Sequence, residues 1–280
     1  MKKITAPDIT ALKGQRKITM ITAYDYPSAL IADAAEVDMI LVGDSLGMVV
    51  LGYDDTLAVT MEDMLHHCAA VSRGASKALI VADLPFMSYH ESVSQAVSNA
   101  GRFLQKTGVR AVKLEGGRPY CEHVRAIVNA GIPVQGHLGL TPQHVANFGG
   151  FKAQGKTAEA AAGLLEDALA LQDAGCFSIV LEAVPAEVAE VITEKLDIPT
   201  IGIGAGPSTS GQVLVFHDIL GLFDKFVPKF VKKYAHIRED AIEAISEYRR
   251  EVSVGDFPGA EQTNHMNADE LRIFKDMLNK

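Results

Sequence analysis

Along most of the chain, short runs that are apolar at nearly every position alternate with longer stretches where apolar and small residues recur every three or four positions. The runs are KITMITAYD (17–25), DMILVGD (38–44), ALIVADLP (78–85), RAVKLEG (110–116), IPVQGHLG (132–139), FSIVLEAVP (177–185) and IPTIGIGAG (198–206), with QVLVFHD (212–218) as a weaker eighth. Unbroken apolarity of this kind is the pattern of parallel strands covered on both faces. The stretches 60–74, 92–108, 121–131, 158–175 and 186–196 have helical spacing, and most stop at a glycine. Thr60 and Asp63 carry the spacing of a capping box at the start of the first. Seven or eight strand–helix pairs in 280 residues predict an α/β fold, a (β/α)8 TIM barrel. A doubly wound open sheet is the alternative, but its glycine fingerprint after the first strand is missing.

Residues 1–258 read as one barrel-forming catalytic domain, with a short helix at 6–14 closing the bottom. The polar segment 259–280 reads as a tail with one amphipathic surface helix, suited to packing on a neighbouring subunit. Two connections are long for this fold, 45–59 and 140–157, and long glycine-containing loops in a compact domain are usually functional.

Bulk composition narrows the class. The chain is 48% hydrophobic, enough for a large core, and carries a net charge of −9 with acids and bases dispersed. Without a basic stripe, nucleic acid is not an expected partner. Three cysteines with no CxxC spacing argue against a disulfide framework and for a reducing compartment. No apolar run of signal-peptide type follows the first lysines, and none approaches the ~20 residues of a membrane span. A cytoplasmic protein without a membrane partner is expected.

Chemistry collects at the strand ends. Strand one ends in Asp25, two in Asp44, three in Asp83, four in Lys113 and Glu115, five in His137 and six in Glu182. Barrels of this type build their active sites at that face. Lys113 and Glu115, two apart, share one face of their strand; Ile40, Val42 and Asp44 read as sharing a face, as do Leu79, Val81 and Asp83. Converging carboxylates raise one another's pKa unless cations compensate. Lys113 compensates one, and a divalent metal would compensate others. Asp44, Asp83 and Glu115 are hard oxygen donors with no cysteine among them, which favours Mg²⁺. Glu182, flanked by apolar residues, suits a proton acceptor.

Each of these residues also has a purely structural reading. Asp44 and Asp83 fit turn positions, and Lys113 with Glu115 fits a structural ion pair. His66, His67, His90 and His123 read as surface or packing residues. The GIGAG run (202–206) is a tight turn and only a weak phosphate signal. Joint placement at the strand ends is what favours a site.

The segments ITAYD (21–25), LVGDSLGMVVLGYDDTL (41–57), ADLPF (82–86), VKLEGG (112–117), GHLGLTPQ (136–143), LEAVP (181–185), IGIGAG (201–206) and EYRREVSVGDFP (247–258) occur in the order seen in one family. From about residue 4 to Pro258 the chain resembles the ketopantoate hydroxymethyltransferases of pantothenate biosynthesis. The resemblance implies transfer of a hydroxymethyl group from 5,10-methylenetetrahydrofolate to 2-oxoisovalerate, with Mg²⁺, in a homodecamer. It implies Asp44 and Asp83 as metal ligands, with Glu115 supporting the metal through water. Ser45 and Lys113 would hold the oxoacid carboxylate, His137 would lie in the pocket near the metal, and Glu182 would be the general base. The long loops would form part of the folate site. A carbon–carbon lyase or mutase of the isocitrate lyase and phosphoenolpyruvate mutase type is a competing expectation, although the KKCGH-like cysteine segment of such lyases is absent. A catalytically silent barrel is another; it would be expected to lose at least one of Asp44, Asp83, Lys113, Glu115 or Glu182, and all five are present.

Overall fold

All eight expected strands form, and they close on themselves in sequence order. The computed structural model describes residues 3–144, 154–225 and 227–279. In it β1 (Ile18–Thr22), β2 (Met39–Val42), β3 (Leu79–Asp83), β4 (Ala111–Lys113), β5 (Val134–Gly139), β6 (Ser178–Glu182), β7 (Thr200–Ile203) and β8 (Gly211–Leu214) make a closed barrel, with β8 returning to β1. Every pairing is parallel. The (β/α)8 expectation is met.

Two apolar layers explain why the strands lack alternation. Ile18, Met20, Met39, Leu41, Leu79, Val81, Val180 and Val213 fill the barrel interior. Ile40, Val42, Ile80, Ala82, Val112 and Leu114 face outward and pack with helix residues such as Met64, Cys68 and Phe103. Both faces are dry, so both are apolar. The helices Met61–Gly74, Val93–Thr107, Cys121–Asn129, Ala158–Asp173 and Ala186–Lys195 lie within a residue or two of the expected spans. Thr60 and Asp63 form the capping box: Asp63 N–H donates to Thr60 Oγ1 at 3.2 Å, and Thr60 N–H donates to Asp63 Oδ2 at 3.0 Å. Helix Ala6–Ala11 buries Ala6 and Ile9 in the interior cluster, and Thr10 Oγ1 donates to the Phe177 carbonyl at 3.2 Å, closing the end of the barrel away from the site.

Residues Met1–Tyr234 and Ala235–Lys280 are separate compact units. The second holds helix Ile237–Val254, which the sequence pattern did not announce, and the expected tail helix Ala268–Leu278. Residue 258, the expected end of the catalytic domain, therefore lies within the second unit. Among the described residues, no helix is long and apolar enough to cross a membrane.

Candidate active site

Strand register builds the site. Asp83, last in β3, pairs across from Lys113, last in β4, and Lys113 Nζ donates to Asp83 Oδ1 at 2.5 Å. Along the β4 segment Ala111 points inward, Val112 outward and Leu114 outward, so Lys113 and Glu115 share the inner face as their spacing predicts. On β6, Val180 points inward between outward Ile179 and Leu181, and the same alternation brings Glu182 to the cavity. Gly139 sits beside Glu182 with φ +93°, and a Cβ there would lie 2.2 Å from the Glu182 carbonyl oxygen. Only glycine lets β5 and β6 end this close together. Ala183, the next residue, adopts φ +49°, a strained conformation for a residue with a side chain and one that recurs at functional sites.

Asp44 reaches the cavity by a different route from the one expected. Ile40 and Val42 face the outer helices, so strict alternation would send Asp44 outward with them. β2 instead ends at Val42, and the chain turns through Gly43 and Asp44, with Leu46 N–H donating to the Gly43 carbonyl at 3.1 Å. That turn redirects Asp44 inward, where its N–H approaches Asp83 Oδ2 at 3.4 Å. Asp44, Ser45, Asp83, Lys113, Glu115, His137 and Glu182 all line one cavity of about 360 Å³.

A buried polar network spans that cavity. His137 stands between two carboxylates, with Nδ1 3.2 Å from Glu115 Oε1 and Nε2 3.2 Å from Glu182 Oε2. The Nε2 contact is off the N–H line, so it is an ion pair rather than a hydrogen bond. Gln143 Nε2 donates to Asp44 Oδ2 at 2.8 Å and to the Leu84 carbonyl at 2.9 Å, while its backbone N–H donates to Glu115 Oε2 at 3.0 Å. The Tyr89 hydroxyl lies 2.9 Å from Gln143 Oε1 and accepts from Glu115 N–H at 3.2 Å. Ser45 Oγ lies 2.8 Å from the Tyr24 hydroxyl.

Proximity of these charges resets their proton affinities. Burial, reinforced by Asp83 and Glu115, pushes Asp44 well above the usual carboxylate range. Burial also raises Asp83, against the pull of Lys113. Burial opposes the Lys113 charge, but Asp83, Glu115 and Asp44 outweigh it and keep the ammonium protonated. For His137, burial and Lys113 work against the proton, yet Glu115 and Glu182 prevail and lift it to about 9. Glu115 moves below its usual value because hydrogen bonding and charge from His137, with Lys113 and the Gln143 N–H, exceed the cost of burial.

Three buried carboxylates and the partly exposed Glu182 thus face two cationic groups, Lys113 and His137. A divalent cation would offset that surplus of acid. Among the described residues, no group of three His, Cys, Asp or Glu side chains is arranged to hold a metal unaided. The donor set nevertheless fits Mg²⁺, which takes one or two carboxylates directly and completes its shell with water and substrate oxygens. Asp44, Asp83 and Glu115, which line the cavity together, are the carboxylates that would hold it.

Asp25 does not join the site. Its Oδ1 accepts from Ser28 N–H at 2.8 Å, capping helix Tyr26–Ala34. His66, His67, His90 and His123 are not part of the cavity lining, in keeping with their packing reading. Residues 145–153 of the second long loop lie outside the described residues. Sequence reasoning passed over Gln143, Tyr89, Thr56 and Asp218. Asp218 could have been found by the strand-end rule, since it ends the eighth apolar run.

Solved structures with the same barrel include phosphonopyruvate hydrolase, with TM-score 0.61 and 13% identity over 99% of this chain and 96% of the other. They also include 2,3-dimethylmalate lyase, with TM-score 0.57 and 17% identity over 99% of this chain and all of the other. At such identities the likeness shows the fold. Sequence relatives are much nearer. The 3-methyl-2-oxobutanoate hydroxymethyltransferase of Syntrophobacter fumaroxidans is 62% identical over 259 residues, 92% of each chain. That of Heliobacterium modesticaldum is 57% identical over 272 residues, 97% of this chain and 98% of the relative. The sequence profile of ketopantoate hydroxymethyltransferase matches residues 3–260. The chain belongs to the ketopantoate hydroxymethyltransferase family.

Proposed function

We propose that the protein transfers a hydroxymethyl group from 5,10-methylenetetrahydrofolate to 3-methyl-2-oxobutanoate (2-oxoisovalerate), giving ketopantoate for pantothenate biosynthesis, with Mg²⁺ as cofactor. The observation that carries this reading is the convergence of Asp44, Asp83, Lys113, Glu115, His137 and Glu182 on one cavity in a chain of this family. The same convergence weighs against a silent barrel, and family membership weighs against the lyase and mutase alternative.

Lys113, held protonated, and the Ser45 hydroxyl offer donors for the carboxylate end of an oxoacid. Apolar wall residues Leu140, Val180, Ile203 and Val213 suit a branched alkyl group and exclude water around C3. Mg²⁺, when bound, supplies Lewis-acid polarisation of the keto group and so acidifies the C3 proton. Glu182 then takes that proton, and the electron pair left on C3 forms the new C–C bond to the donor methylene. Water supplies the hydroxyl as both C–N bonds of that methylene break, and tetrahydrofolate leaves with its two nitrogens reprotonated by the proton from C3 and one from water. His137, oriented by Glu115, sits beside Glu182 and steadies its charge before the proton arrives.

The apolar residues Ile242, Ile245, Tyr248 and Val252 are exposed on helix Ile237–Val254, which supports assembly of several copies, a homodecamer by family resemblance. The activity is tested by incubating the protein with 2-oxoisovalerate, 5,10-methylenetetrahydrofolate and Mg²⁺ and following ketopantoate by mass spectrometry. Metal-dependent product is expected; none from folded protein would refute the assignment.

A further inference from the structure

The polar groups assigned to the oxoacid lie on the β2–β6 arc of the barrel mouth. The segment after β8 and the loop after β2 add two polar groups to the same cavity that this chemistry leaves idle. Asp218, on the short helix Phe216–Ile219 after β8, lines the cavity and is 6% exposed. Its Oδ1 is buried and has no hydrogen-bond partner among the described residues. Thr56, on the loop after β2, lines the same cavity at 2% exposure, and its Oγ1 is likewise buried and unpartnered. Leaving such atoms without a partner is unfavourable, and each calls for an explanation. A ligand that brings donors of its own is one, and both residues already line a ligand-sized space.

The surroundings limit what that ligand is. Met48, Val215, Phe223 and Phe230 line this cavity too, and all are apolar. They suit the faces of a flat ring. A carboxylate among them accepts two parallel N–H bonds most effectively from neighbouring donors on one edge of that ring. The 2-amino-4-oxopyrimidine edge of a pterin offers this pair, a ring N–H beside an exocyclic amino group.

We propose that Asp218 reads the ring of the one-carbon carrier by accepting paired N–H bonds from its aminopyrimidinone edge, with Thr56 as a second polar contact. The inference rests on the reading that a pterin-bearing donor enters this cavity. It makes Asp218 a binding and specificity residue for the second substrate, separate from the residues that act on the oxoacid.

The test uses the full chain with Mg²⁺ and the Asp218→Asn variant. An amide keeps the shape but presents an N–H where the ring also presents one. Solvent exchange of the oxoacid C3 proton needs no carrier and reports the other half of the site. In Asp218→Asn, exchange should stay within about threefold of wild type, while the KM for methylenetetrahydrofolate rises by roughly tenfold or more. Wild type should bind pterin in preference to lumazine, whose ring carries a carbonyl in place of the amino group, and Asp218→Asn should lose or reverse that preference. Unchanged carrier KM and unchanged pterin preference, with exchange intact, would overturn the proposal. If Asp218→Asn also loses exchange, the near-isosteric Thr56→Val variant decides: a raised carrier KM with exchange retained supports the proposal, and an unchanged KM overturns it. Absence of exchange in wild type would defeat the functional reading alone, because the pterin and lumazine comparison reads Asp218 independently.

Discussion

Gln143 Nε2 donates to Asp44 Oδ2 at 2.8 Å, and through its backbone N–H the same residue holds Glu115 Oε2 at 3.0 Å. One residue of the loop after β5 therefore positions two of the three buried carboxylates. Gln143→Ala removes the one hydrogen-bond donor that reaches the Asp44 carboxylate among the described residues, leaving a buried oxygen unpaired at a cost of roughly 1–3 kcal/mol. It should raise the Mg²⁺ concentration needed for half-maximal turnover. A metal titration with an unchanged midpoint would show that Gln143 does not position Asp44.

Lys113→Met leaves Asp83 buried without its cation. Breaking a buried pair from one side typically costs about 3–5 kcal/mol. Urea unfolding at neutral pH without added divalent cation should show a loss of that order, and oxoacid affinity should fall with it. A stability within about 1 kcal/mol of wild type would mean that Lys113 does not compensate the Asp83 charge.

Asp33 is a structural counterpart away from the cavity. Its carboxylate accepts from the backbone N–H groups of Ser76, Lys77 and Ala78 at 2.9, 2.9 and 3.0 Å, tying helix Tyr26–Ala34 to the start of β3. Burial works against the charge, but these bonds hold its pKa below the ordinary value. The stabilisation is therefore present above the unfolded pKa of about 3.9 and is lost as pH falls through the folded value. Asp33→Ala should cost roughly 2–3 kcal/mol at pH 7, with the difference from wild type shrinking below pH 4. A pH-independent difference would contradict this assignment.

Asp218 has the opposite sign. Burial, only partly offset by Lys233, raises it to about 6. Its protonated form is favoured in the folded state, so stability is full below the unfolded value and declines as pH rises through about 6. In the absence of substrates, Asp218→Asn should be more resistant to urea than wild type at pH 7–8, with the gap closing toward pH 4. A gap that widens on acidification would refute the raised pKa.

The barrel was legible because parallel strands, dry on both faces, leave continuous apolar runs, and because chemistry in this fold gathers at strand ends. Asp83, Lys113, Glu115, His137 and Glu182 all lie at strand ends and line the cavity, and for Asp83, Lys113 and Glu115 the expected alternation is what aims them there. Alternation was the wrong reason for Asp44, since a turn after Val42, not the pleat, aims that side chain inward. Helix Tyr26–Ala34 escaped notice because it buries Ser28 and Asp33 while Leu30 and Ile31 are 44% and 55% exposed, which blurs any apolar stripe. Gln143 was invisible because a neutral amide in a loop has no periodicity; only the tertiary fold shows that it faces two carboxylates.

Removal of the C3 proton of a bound 2-oxoacid by Glu182 is the step on which the proposed reaction depends. The most direct measurement follows the C3 proton signal of 2-oxoisovalerate by NMR in D₂O, without folate, for wild type and Glu182→Gln. Wild type should exchange that proton only when Mg²⁺ is present. Glu182→Gln should still bind the oxoacid but exchange it roughly 10²–10⁴-fold more slowly. Equal exchange rates in the two proteins would contradict the account and move the base elsewhere in the cavity.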